Sequence, residues 1–447
     1  MDVITLTSAQ QNIFDTVTYN VHNYPGRYDC VIQGYAGTGK STTISRIISE
    51  LMDSYTIAVT SPTHKANHVL RSMLLDAGVD CVGSKADVVV STIHSFLGLK
   101  LVQKKDQQIL ELDPHSPNAT KMFDVLIVDE ASMISTDLYL HIIQQAHRVR
   151  RAIIFLGDDC QLPPVEPERE DAIVSCSFSH GEKHALTEVL RQALENPIIA
   201  LATDVRGCIG AETSHALDFL RSIQDNDNIM RIPSKFDVIE TYYHMLMDET
   251  DDDMKKIFEN TYKYKILSYT NKVVDDYNRL IRSLVVPDAT QELMPGEPIV
   301  FEDTTLHCMY SNQQQIQCPE LVRECWMGVD CWRLKGTDAK SSFLIVGPET
   351  KERYREHLQR LVTKINLKET NPFTKKPYTW GDYYILKEKI CVVGYPYACT
   401  GHKSQGSTFD AVWLDLSGMN LIGDKDNQAR LLYTMITRPR NYLMVKQ

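Results

Sequence analysis

No apolar run in the 447-residue sequence is long enough to cross a bilayer, and the N-terminus lacks the charged and apolar regions of a signal peptide. These two absences predict a protein that stays in a cytoplasm and makes no membrane contact. Paired CxxC cysteines are also missing, and the eleven cysteines are an odd number scattered along the chain. We therefore expect reduced thiols and not a disulfide framework.

One group of thiols invites a zinc interpretation, because Cys318, Cys325 and Cys331 follow His307 and Cys308 in the chain. Their spacings match no paired-ligand pattern of a zinc site. Buried free cysteine is common in protein cores. Core thiols are therefore the expected role.

An excess of positive charge is absent as well. The sequence has 47 Lys and Arg against 58 Asp and Glu, a formal net charge of −11. That balance argues against a surface coated by nucleic acid, but it leaves room for a local groove that tracks a single strand. The length is too great for one simple core, so two or more domains are expected.

The most informative segment is GYAGTGKS at residues 34–41, which has the spacing of a P-loop. It follows an apolar strand candidate at residues 30–32 and precedes a plausible helix at residues 42–51, the context that such a loop needs. Its glycines let successive N–H groups cradle phosphates, Lys40 reaches the β- and γ-phosphates, and Ser41 holds Mg²⁺. The predicted nucleotide-binding residues of this segment are Gly34, Ala36, Gly37, Thr38, Gly39, Lys40, Ser41 and Thr42.

The arrangement of apolar segments predicts an α/β protein. Residues 1–190 alternate short apolar strands with amphipathic helices, which is typical of a parallel sheet with helices on both faces. Residues 99–113 alternate apolar and polar side chains and predict a protruding hairpin. A second α/β pattern begins after Arg191 and is interrupted at residues 296–395 by a mainly β insertion that includes a charged helix near residues 351–364.

Two further strand ends carry polar residues suited to nucleotide hydrolysis. The strand candidate at residues 125–128 ends in Asp129 and Glu130, where the first acid is expected to hold Mg²⁺ and the second to activate water. Gln161 follows the next strand and is placed to sense the γ-phosphate. Solvated acids and a Pro-rich loop are the alternatives. Because these segments follow a P-loop within a βα pattern, we expect one NTPase site.

In order and spacing these three segments resemble helicase superfamily 1. The whole chain resembles the Dda-type helicases of tailed bacteriophages, which stand with the RecD and Pif1 enzymes in the 5′→3′ branch of that superfamily. Further segments carry the resemblance: LTSAQ at 6–10, TSPTHKA at 60–66, STIHS at 91–95, LTEVLR at 186–191, YTNK at 269–272, VDDYN at 274–278, TGHKSQGST at 400–408 and LYTMITR at 432–438.

The resemblance implies roles for residues in those segments. Gln10 would read the adenine, Gln405 and Gly406 would complete the nucleotide site, and Arg191 and Arg438 would stabilise charge on the transferred phosphate. The residues implied in single-strand binding are Pro62, Thr63, His64, Lys65, His94, Ser95, Asn271, Lys272, Thr400, His402 and Lys403. Their lysines would supply the electrostatic part of the contact.

The implied fold has two RecA-like P-loop domains. Motor domain 1A covers residues 1–95 and 122–190, with a β-hairpin pin, subdomain 1B, inserted at 96–121. Motor domain 2A covers 191–295 and 396–447, with a small SH3-like β domain, 2B, inserted at 296–395. Ile109 and Leu110 are the candidate apolar wedge of the pin, which would split the duplex.

The resulting expectation is an ATP- and Mg²⁺-dependent DNA helicase, active as a monomer on single strands and duplex junctions. Polarity, and a role in phage replication or recombination in the host cytoplasm beside single-strand-binding or replisome proteins, follow from the resemblance alone. An RNA-directed motor stays open, as does an ATP-gated translocase or remodeller that does not unwind. A P-loop kinase is disfavoured, because the segments near the C-terminus would then have no task.

Overall fold

The computed structural model describes residues 6–81, 87–104, 107–112, 123–148, 151–164, 166, 174–189, 195–211, 215–248, 253–305, 308, 310, 312–334, 343–372 and 374–447. It divides into two compact units. The first unit comprises Met1–Met230, Ser404–Thr408 and Asn420–Pro439, and the second comprises Arg231–Lys403, Phe409–Met419 and Arg440–Gln447. Within the described ranges, no helix is both long enough and apolar enough to span a membrane.

The described strands are β1 (Asp29–Gly34), β2 (Ile57–Ser61), β3 (Val88–Thr92), β4 (Leu99–Lys104), β5 (Gln107–Leu112), β6 (Val125–Val128), β7 (Ala152–Gly157), β8 (Glu182–Leu186), β9 (Ile229–Ile232), β10 (Tyr264–Ser268), β11 (Pro298–Asp303), β12 (Gln315–Gln317), β13 (Leu321–Trp326), β14 (Val329–Leu334), β15 (Leu344–Val346), β16 (Ile390–Gly394), β17 (Ala398–Thr400), β18 (Phe409–Asp415) and β19 (Pro439–Lys446).

The described helices are α1 (Ser8–Asn23), α2 (Lys40–Leu51), α3 (His64–Asp76), α4 (Ile93–Leu97), α5 (Thr136–Arg148), α6 (Pro197–Arg206), α7 (Ala216–Arg221), α8 (Lys235–Met247), α9 (Met254–Lys263), α10 (Asn271–Val285), α11 (Lys351–Asn366), α12 (Trp380–Lys387) and α13 (Lys425–Ile436). A short 3₁₀ turn at Ala131–Met133 follows β6.

The first unit is built on a sheet of strand order β3-β2-β6-β7-β1-β8. Every described pairing in this sheet is parallel. Successive side chains of β1 enter opposite cores, because strand residues alternate between the two faces of a sheet. Ile32 packs with residues of α1, α2 and α3, whereas Val31 packs with residues of α4 and α5. Helices therefore cover both faces, as the apolar pattern predicted.

Threonine caps place several of the predicted functional segments at helix starts. Thr63 accepts a hydrogen bond from the N–H of Ala66 at the start of α3, and Thr92 accepts one from Ser95 at the start of α4. In the second unit, Thr270 caps α10 in the same way. A side-chain oxygen at this position satisfies an N–H group that the helix itself leaves without a partner. The segments after β2, β3 and β10 are thus fixed where strand meets helix.

The hairpin predicted after α4 is present as the two-stranded sheet of β4 and β5. Lys104 pairs with Gln107, the pair nearest the turn. Ile109 pairs with Val102 and Leu110 with Leu101, so both lie within the strand and away from the turn. The register puts two further residue pairs, Gln103 with Gln108 and Lys104 with Gln107, between Ile109 and the end of the hairpin, and the role of Ile109 and Leu110 as an apolar wedge stays a prediction.

The second unit contains two sheets, of order β17-β10-β18-β19-β9 and β12-β11-β16-β15-β14-β13. In the first of them, β10 runs parallel to both β17 and β18. The second sheet lies within the predicted insertion and is antiparallel in its described pairings, except between β15 and β16. One core joins Trp413 and Tyr277 of the motor sheet region to Phe301 and Phe343 of the insertion.

The α/β fold class, with a hairpin in the first half and a β insertion in the second, is confirmed. The charged helix predicted near residues 351–364 is α11. Free thiols at Cys318 and Cys331 are buried, as expected of core residues, whereas Cys325 is exposed. His307 lies outside the described residues. The boundaries of domains 1A, 1B, 2A and 2B stay a prediction.

Candidate nucleotide site and nucleic-acid interface

The carboxyl ends of neighbouring strands bring the predicted segments of the first unit to one edge of its sheet. Along that edge stand, in order, the segments after β3, β2, β6, β7 and β1. The P-loop, Gln161 and the acids Asp129 and Glu130 therefore follow three adjacent strands. His94 and His64 follow the next two. In a parallel α/β sheet this edge is where ligands bind.

The P-loop bends tightly around the side chain of Lys40. Its ammonium donates to the carbonyl oxygens of Gly34 and, at 3.1 Å, of Tyr35. A Cβ on Gly34 would lie 2.7 Å from Lys40 Cγ, so the loop closes only around a glycine. Gly37 and Gly39 both have φ of 78°, a backbone conformation that favours glycine. Ser41 and Thr42 lie in the first turn of α2, and Ser41 is exposed.

Gln10 is 3% exposed and joins α1 to the P-loop. Its Oε1 accepts the N–H of Thr7 at 2.9 Å, and its Nε2 donates to the carbonyl oxygen of Thr38 at 3.1 Å. Each amide atom has a second hydrogen-bonding capacity that these two contacts leave unused. The predicted adenine contact thus stays compatible with the geometry, and Gln10 has in addition a role as a helix cap.

The two acids after β6 have different environments. Burial and, to a smaller extent, the negative charge of the neighbouring Glu130 raise the pKa of Asp129 to about 7, against the opposing effect of the Lys40 ammonium. A bound cation would favour the ionised carboxylate. Glu130 has φ of 54° and ψ of 46°, in the left-handed region where a residue with a long side chain is uncommon. Such strain is often retained where a side chain must point at a reacting group.

The loop after β7 is held by residues from the C-terminal segments of the first unit. Gln405 Nε2 donates to the carbonyl of Leu162 at 3.0 Å, and the Leu162 N–H donates to Thr434 Oγ1 at 3.2 Å. Arg430 Nη1 donates to the carbonyl of Asp159 at 2.5 Å. Gln161 is buried, and its Oε1 has no hydrogen-bond partner among the described residues. A buried acceptor of this kind is costly unless a ligand or water satisfies it.

Tyr433 and Asp158 belong to this site, although the sequence motifs did not single them out. The Tyr433 hydroxyl accepts the N–H of Ala36 at 3.1 Å and donates to Asp158 Oδ2 at 2.6 Å. Sequence offered only one signal for these contacts, namely that Tyr433 stands in the LYTMITR segment and that Asp158 lies shortly before Gln161.

Gly406 lies close to two of the predicted segments, the one at residues 60–66 and the one that contains Glu130. Its φ is 67°, and a Cβ there would be 3.2 Å from Ala66 Cβ, 3.3 Å from Thr63 Oγ1 and 3.8 Å from Glu130 Oε1. The backbone of residue 406 therefore approaches both the general-base candidate and the predicted strand contact. Gln405 and Gly406 are thus brought to the site as the resemblance implied.

Arg438 is buried, and its guanidinium donates hydrogen bonds to uncharged oxygen atoms of the described residues. Its guanidinium donates to the carbonyl oxygens of Thr434 at 2.8 Å and Ser407 at 3.1 Å, and to Thr437 Oγ1 at 3.1 Å. Burial lowers the pKa of Arg438, while the negative charge of Glu130 acts in the opposite direction. The positive charge of Arg438 is thus held near Glu130 by hydrogen bonds to two carbonyl oxygens and one hydroxyl. Arg191, the second predicted arginine, lies outside the described residues.

The donors and acceptors at this edge fit a nucleoside triphosphate. The P-loop offers backbone N–H groups at the start of α2, which favours phosphate. The unsatisfied Gln161 Oε1 fits a group that donates a hydrogen bond, such as a water beside the γ-phosphate. Ser41 and Asp129 supply a hydroxyl and a carboxylate, ligand types that suit Mg²⁺.

On the first unit, the residues predicted to contact single-stranded DNA include one lysine, Lys65, and the others carry no fixed charge. His64 is exposed at the start of α3, and His94 is half-buried at the start of α4. Burial lowers the pKa of both histidines; Arg71 adds to the effect at His64, and His64 adds to it at His94. Pro62, Thr63, Lys65 and Ser95 flank them in the same two turns.

On the second unit, the predicted contacts follow β10 and β17, which pair so that Ser268 lies opposite Thr400. Asn271 and Lys272 are exposed at the start of α10, and His402 is exposed after β17. Lys403 Nζ lies 3.7 Å from Glu302 Oε1. Lys351 Nζ lies 3.4 Å from Glu302 Oε2 and 2.9 Å from Asp275 Oδ1. Glu302 therefore forms ion pairs with two lysines, Lys351 and Lys403.

Two family models match the chain: the AAA domain over residues 5–225 and the UvrD-like helicase C-terminal domain over residues 395–445. The ATP-dependent DNA helicase dda of Enterobacteria phage T4 is 27% identical, over 97% of this chain and 98% of that protein. The RecBCD enzyme subunit RecD of Buchnera aphidicola is 28% identical over 53% of this chain and 37% of its own length.

Among solved structures, the crystal structure of Pif1 helicase from Candida albicans covers 100% of this chain and 95% of its own, with a TM-score of 0.50 and 18% identity. At that identity the match speaks for the fold alone. The sequence relatives confirm the predicted resemblance to the Dda-type helicases and to RecD, and the structural match confirms a fold like that of Pif1.

Proposed function

We propose that this chain is an ATP-dependent DNA helicase of the Dda type, which moves 5′→3′ along single-stranded DNA and separates duplex DNA. One observation carries the proposal. The P-loop, the Asp129–Glu130 pair and Gln161 follow three neighbouring strands, and residues of the two C-terminal motifs dock on the same loops. A nucleotide site assembled from motifs at both ends of a chain is typical of a motor and has no use in a small-molecule kinase.

Each residue of the nucleotide site has a proposed task. The P-loop N–H groups and Lys40 bind the phosphates, and Gln10 contacts the adenine. Glu130 takes a proton from the attacking water, Gln161 orients that water against the γ-phosphate, and Arg438 with Arg191 stabilises the developing charge. Mg²⁺, held by Ser41 and Asp129, would neutralise charge on the phosphate oxygens.

The proposed strand contacts divide between the two units. Thr63, His64 and His94, with backbone N–H groups at two helix starts, would hold phosphates on the first unit without fixed charge. Lys272 and Lys403 would hold the strand on the second unit through charge. We also propose that the protein acts in a cytoplasm, that of the host if a phage encodes it, near single-strand-binding or replisome proteins.

Unwinding of a short duplex with either a 5′ or a 3′ single-stranded tail tests the function. Separation that requires ATP and occurs only with the 5′ tail supports motor, substrate and polarity together. Separation only with the 3′ tail would overturn the polarity. Hydrolysis stimulated by single strands without separation of either duplex would favour the alternative, a translocase or remodeller. Tails of RNA, run in parallel, distinguish the RNA-directed alternative.

Lys40→Ala is the matched negative control for that assay. The variant removes the phosphate contact of the P-loop and leaves every proposed strand contact intact. We expect no turnover and normal binding of single-stranded DNA by fluorescence anisotropy. Hydrolysis at the wild-type rate in this variant would place the nucleotide site elsewhere.

A further inference from the structure

Tyr433 occupies a position that its motif does not explain. The side chain lies on α13, is 1% exposed, and bridges the P-loop to the loop after β7. Ala36, its partner on one side, belongs to the P-loop, and Asp158, its partner on the other, directly follows β7. Buried tyrosine hydroxyls usually find one partner, whereas this one has a donor and an acceptor from two catalytic segments.

The direction of the two hydrogen bonds is fixed by chemistry. A backbone N–H donates only, so the Tyr433 oxygen accepts from Ala36. Burial raises the pKa of Tyr433, and the negative charge of Asp158 raises it further, so the phenol stays protonated. Its O–H therefore donates a hydrogen bond to Asp158 Oδ2. The other oxygen, Asp158 Oδ1, accepts the N–H of Cys160 at 3.0 Å. The result is a chain of donors that runs from the P-loop to a buried carboxylate.

The same end of α13 positions Arg438. Thr434, next to Tyr433, accepts the N–H of Leu162, and its carbonyl oxygen accepts Arg438 Nε at 2.8 Å. The guanidinium is therefore placed by the helix that Tyr433 anchors to the P-loop. A shift of this helix end would move Arg438 relative to Glu130, which lies close enough to influence its pKa.

We propose that Tyr433 is a positioning residue for ATP hydrolysis, which acts by locking the end of α13, and with it Arg438, to the P-loop. The inference rests on the proposed function. Phosphate binding uses several N–H groups and Lys40, so the loss of one phenol should change ground-state binding little. Arg438 acts on charge that develops in the transition state, so its misplacement should lower kcat.

Tyr433→Phe tests the proposal, because it removes the hydroxyl and keeps the ring. We expect kcat for hydrolysis stimulated by single-stranded DNA to fall about tenfold, the loss that one charge-assisted hydrogen bond of moderate strength brings. The KM for ATP should change less than about threefold. Tyr139→Phe is the matched control, because its hydroxyl also bonds a protein group, His180 Nδ1 at 3.0 Å, and lies away from the P-loop.

Asp158→Asn provides a second variant that keeps an acceptor for the phenol and loses the charge. Its kcat should lie between those of the wild type and Tyr433→Phe, and the double variant should be no slower than Tyr433→Phe, because the two groups act in one chain. Additive losses would overturn the proposal. So would an unchanged kcat in Tyr433→Phe, or a raised KM at normal kcat.

A failure of this proposal about Tyr433 can be told apart from a failure of the proposed helicase function. If the wild-type protein hydrolyses ATP but opens no duplex, the helicase assignment fails while the kcat comparison remains valid. If thermal melting shows that Tyr433→Phe is unfolded, Asp158→Asn decides the question, because its kcat and its KM are measured separately in the same way.

Discussion

The residues that follow the carboxyl ends of the parallel strands differ between the two units in their burial and in their contacts. In the first unit, Tyr433 and Arg438 on the nucleotide side are buried and held by several hydrogen bonds each. In the second unit, the predicted strand contacts Asn271, Lys272 and His402 are exposed. The Lys403 ammonium forms a loose ion pair with Glu302, at 3.7 Å. The same position in an α/β sheet thus carries either a rigid network or a set of groups free to exchange partners.

The difference follows from what each edge has to do. Hydrolysis needs charges fixed in advance in a site with little water, where each interaction is strong. A strand that is passed along must be released at every step, so its contacts have to be weak singly and easily replaced by solvent. Burial therefore distinguishes Gln161 and Arg438, which we propose for catalysis, from exposed residues such as Lys272, which we propose for DNA.

The largest expected effect is on the buried edge, at Glu130. Glu130→Gln keeps the size and the left-handed backbone but cannot accept a proton, so kcat should fall by about 10² to 10⁴ while ATP still binds. A coupled hydrolysis assay and binding of a fluorescent ATP analogue measure the two properties separately. Glu182→Gln, on the edge strand β8, is the control. A normal rate in Glu130→Gln would assign the general base to another residue.

A smaller effect is expected on the exposed edge, at the ion pair of Lys403 with Glu302. Lys403→Ala should weaken single-strand binding and lower the slope of log K against log salt by about 0.7, the value for one phosphate contact. Glu302→Gln should strengthen binding about twofold to threefold, because it frees Lys403 while Asp275 still holds Lys351.

Anisotropy titrations of a labelled oligonucleotide between low and moderate salt give both slopes. Arg360→Ala removes an exposed cation that pairs with Glu356 within α11, and it should leave the slope unchanged. An unchanged slope in Lys403→Ala would mean that this lysine makes no phosphate contact, and the comparison between the two edges would lose its main support.

The smallest effect concerns His94, a predicted strand contact on the first unit that is partly buried. Its pKa lies below the usual 6.5, first because of burial, so the unfolded chain binds more protons than the folded one below pH 6.5. The free energy of unfolding should therefore fall as the pH drops from 7.5 to 5.5, by at most about 1.4 kcal/mol per pH unit for one histidine.

Urea unfolding at three pH values, compared between the wild type and His94→Gln, measures this contribution. The glutamine does not titrate in this range, so the variant should show a shallower dependence. Identical pH profiles would show that His94 is accommodated equally well in both protonation states. In that case His94 would behave like the exposed residues of the second unit, although it lies on the first.

Sequence alone predicted most of the buried edge, because the P-loop, the paired acids and the glutamine each have a local pattern tied to a strand end. The β8 strand escaped prediction. It pairs with β1 at the sheet edge and buries only Leu186, so it lacks the apolar run that indicates a strand. Glu130's left-handed backbone was not predictable either, since glutamate has no preference for that region.

The contacts that join the motifs escaped prediction for a different reason. Tyr433 and Asp158 are 275 residues apart, and no periodicity links positions at that separation. The same holds for Glu302 and Lys403, whose pairing depends on how the insertion packs against the motor sheet. Local patterns thus identify the reacting groups, and long-range packing decides which residues hold them in place.

The cap of α1 has a consequence for the dynamics of the chain's beginning. Gln10 closes the first turn of α1 through Thr7 and holds the carbonyl of Thr38 with the same side chain. Local unfolding of that turn would therefore release a P-loop carbonyl, and a nucleotide that stiffens the loop would in turn slow hydrogen exchange in the first helix.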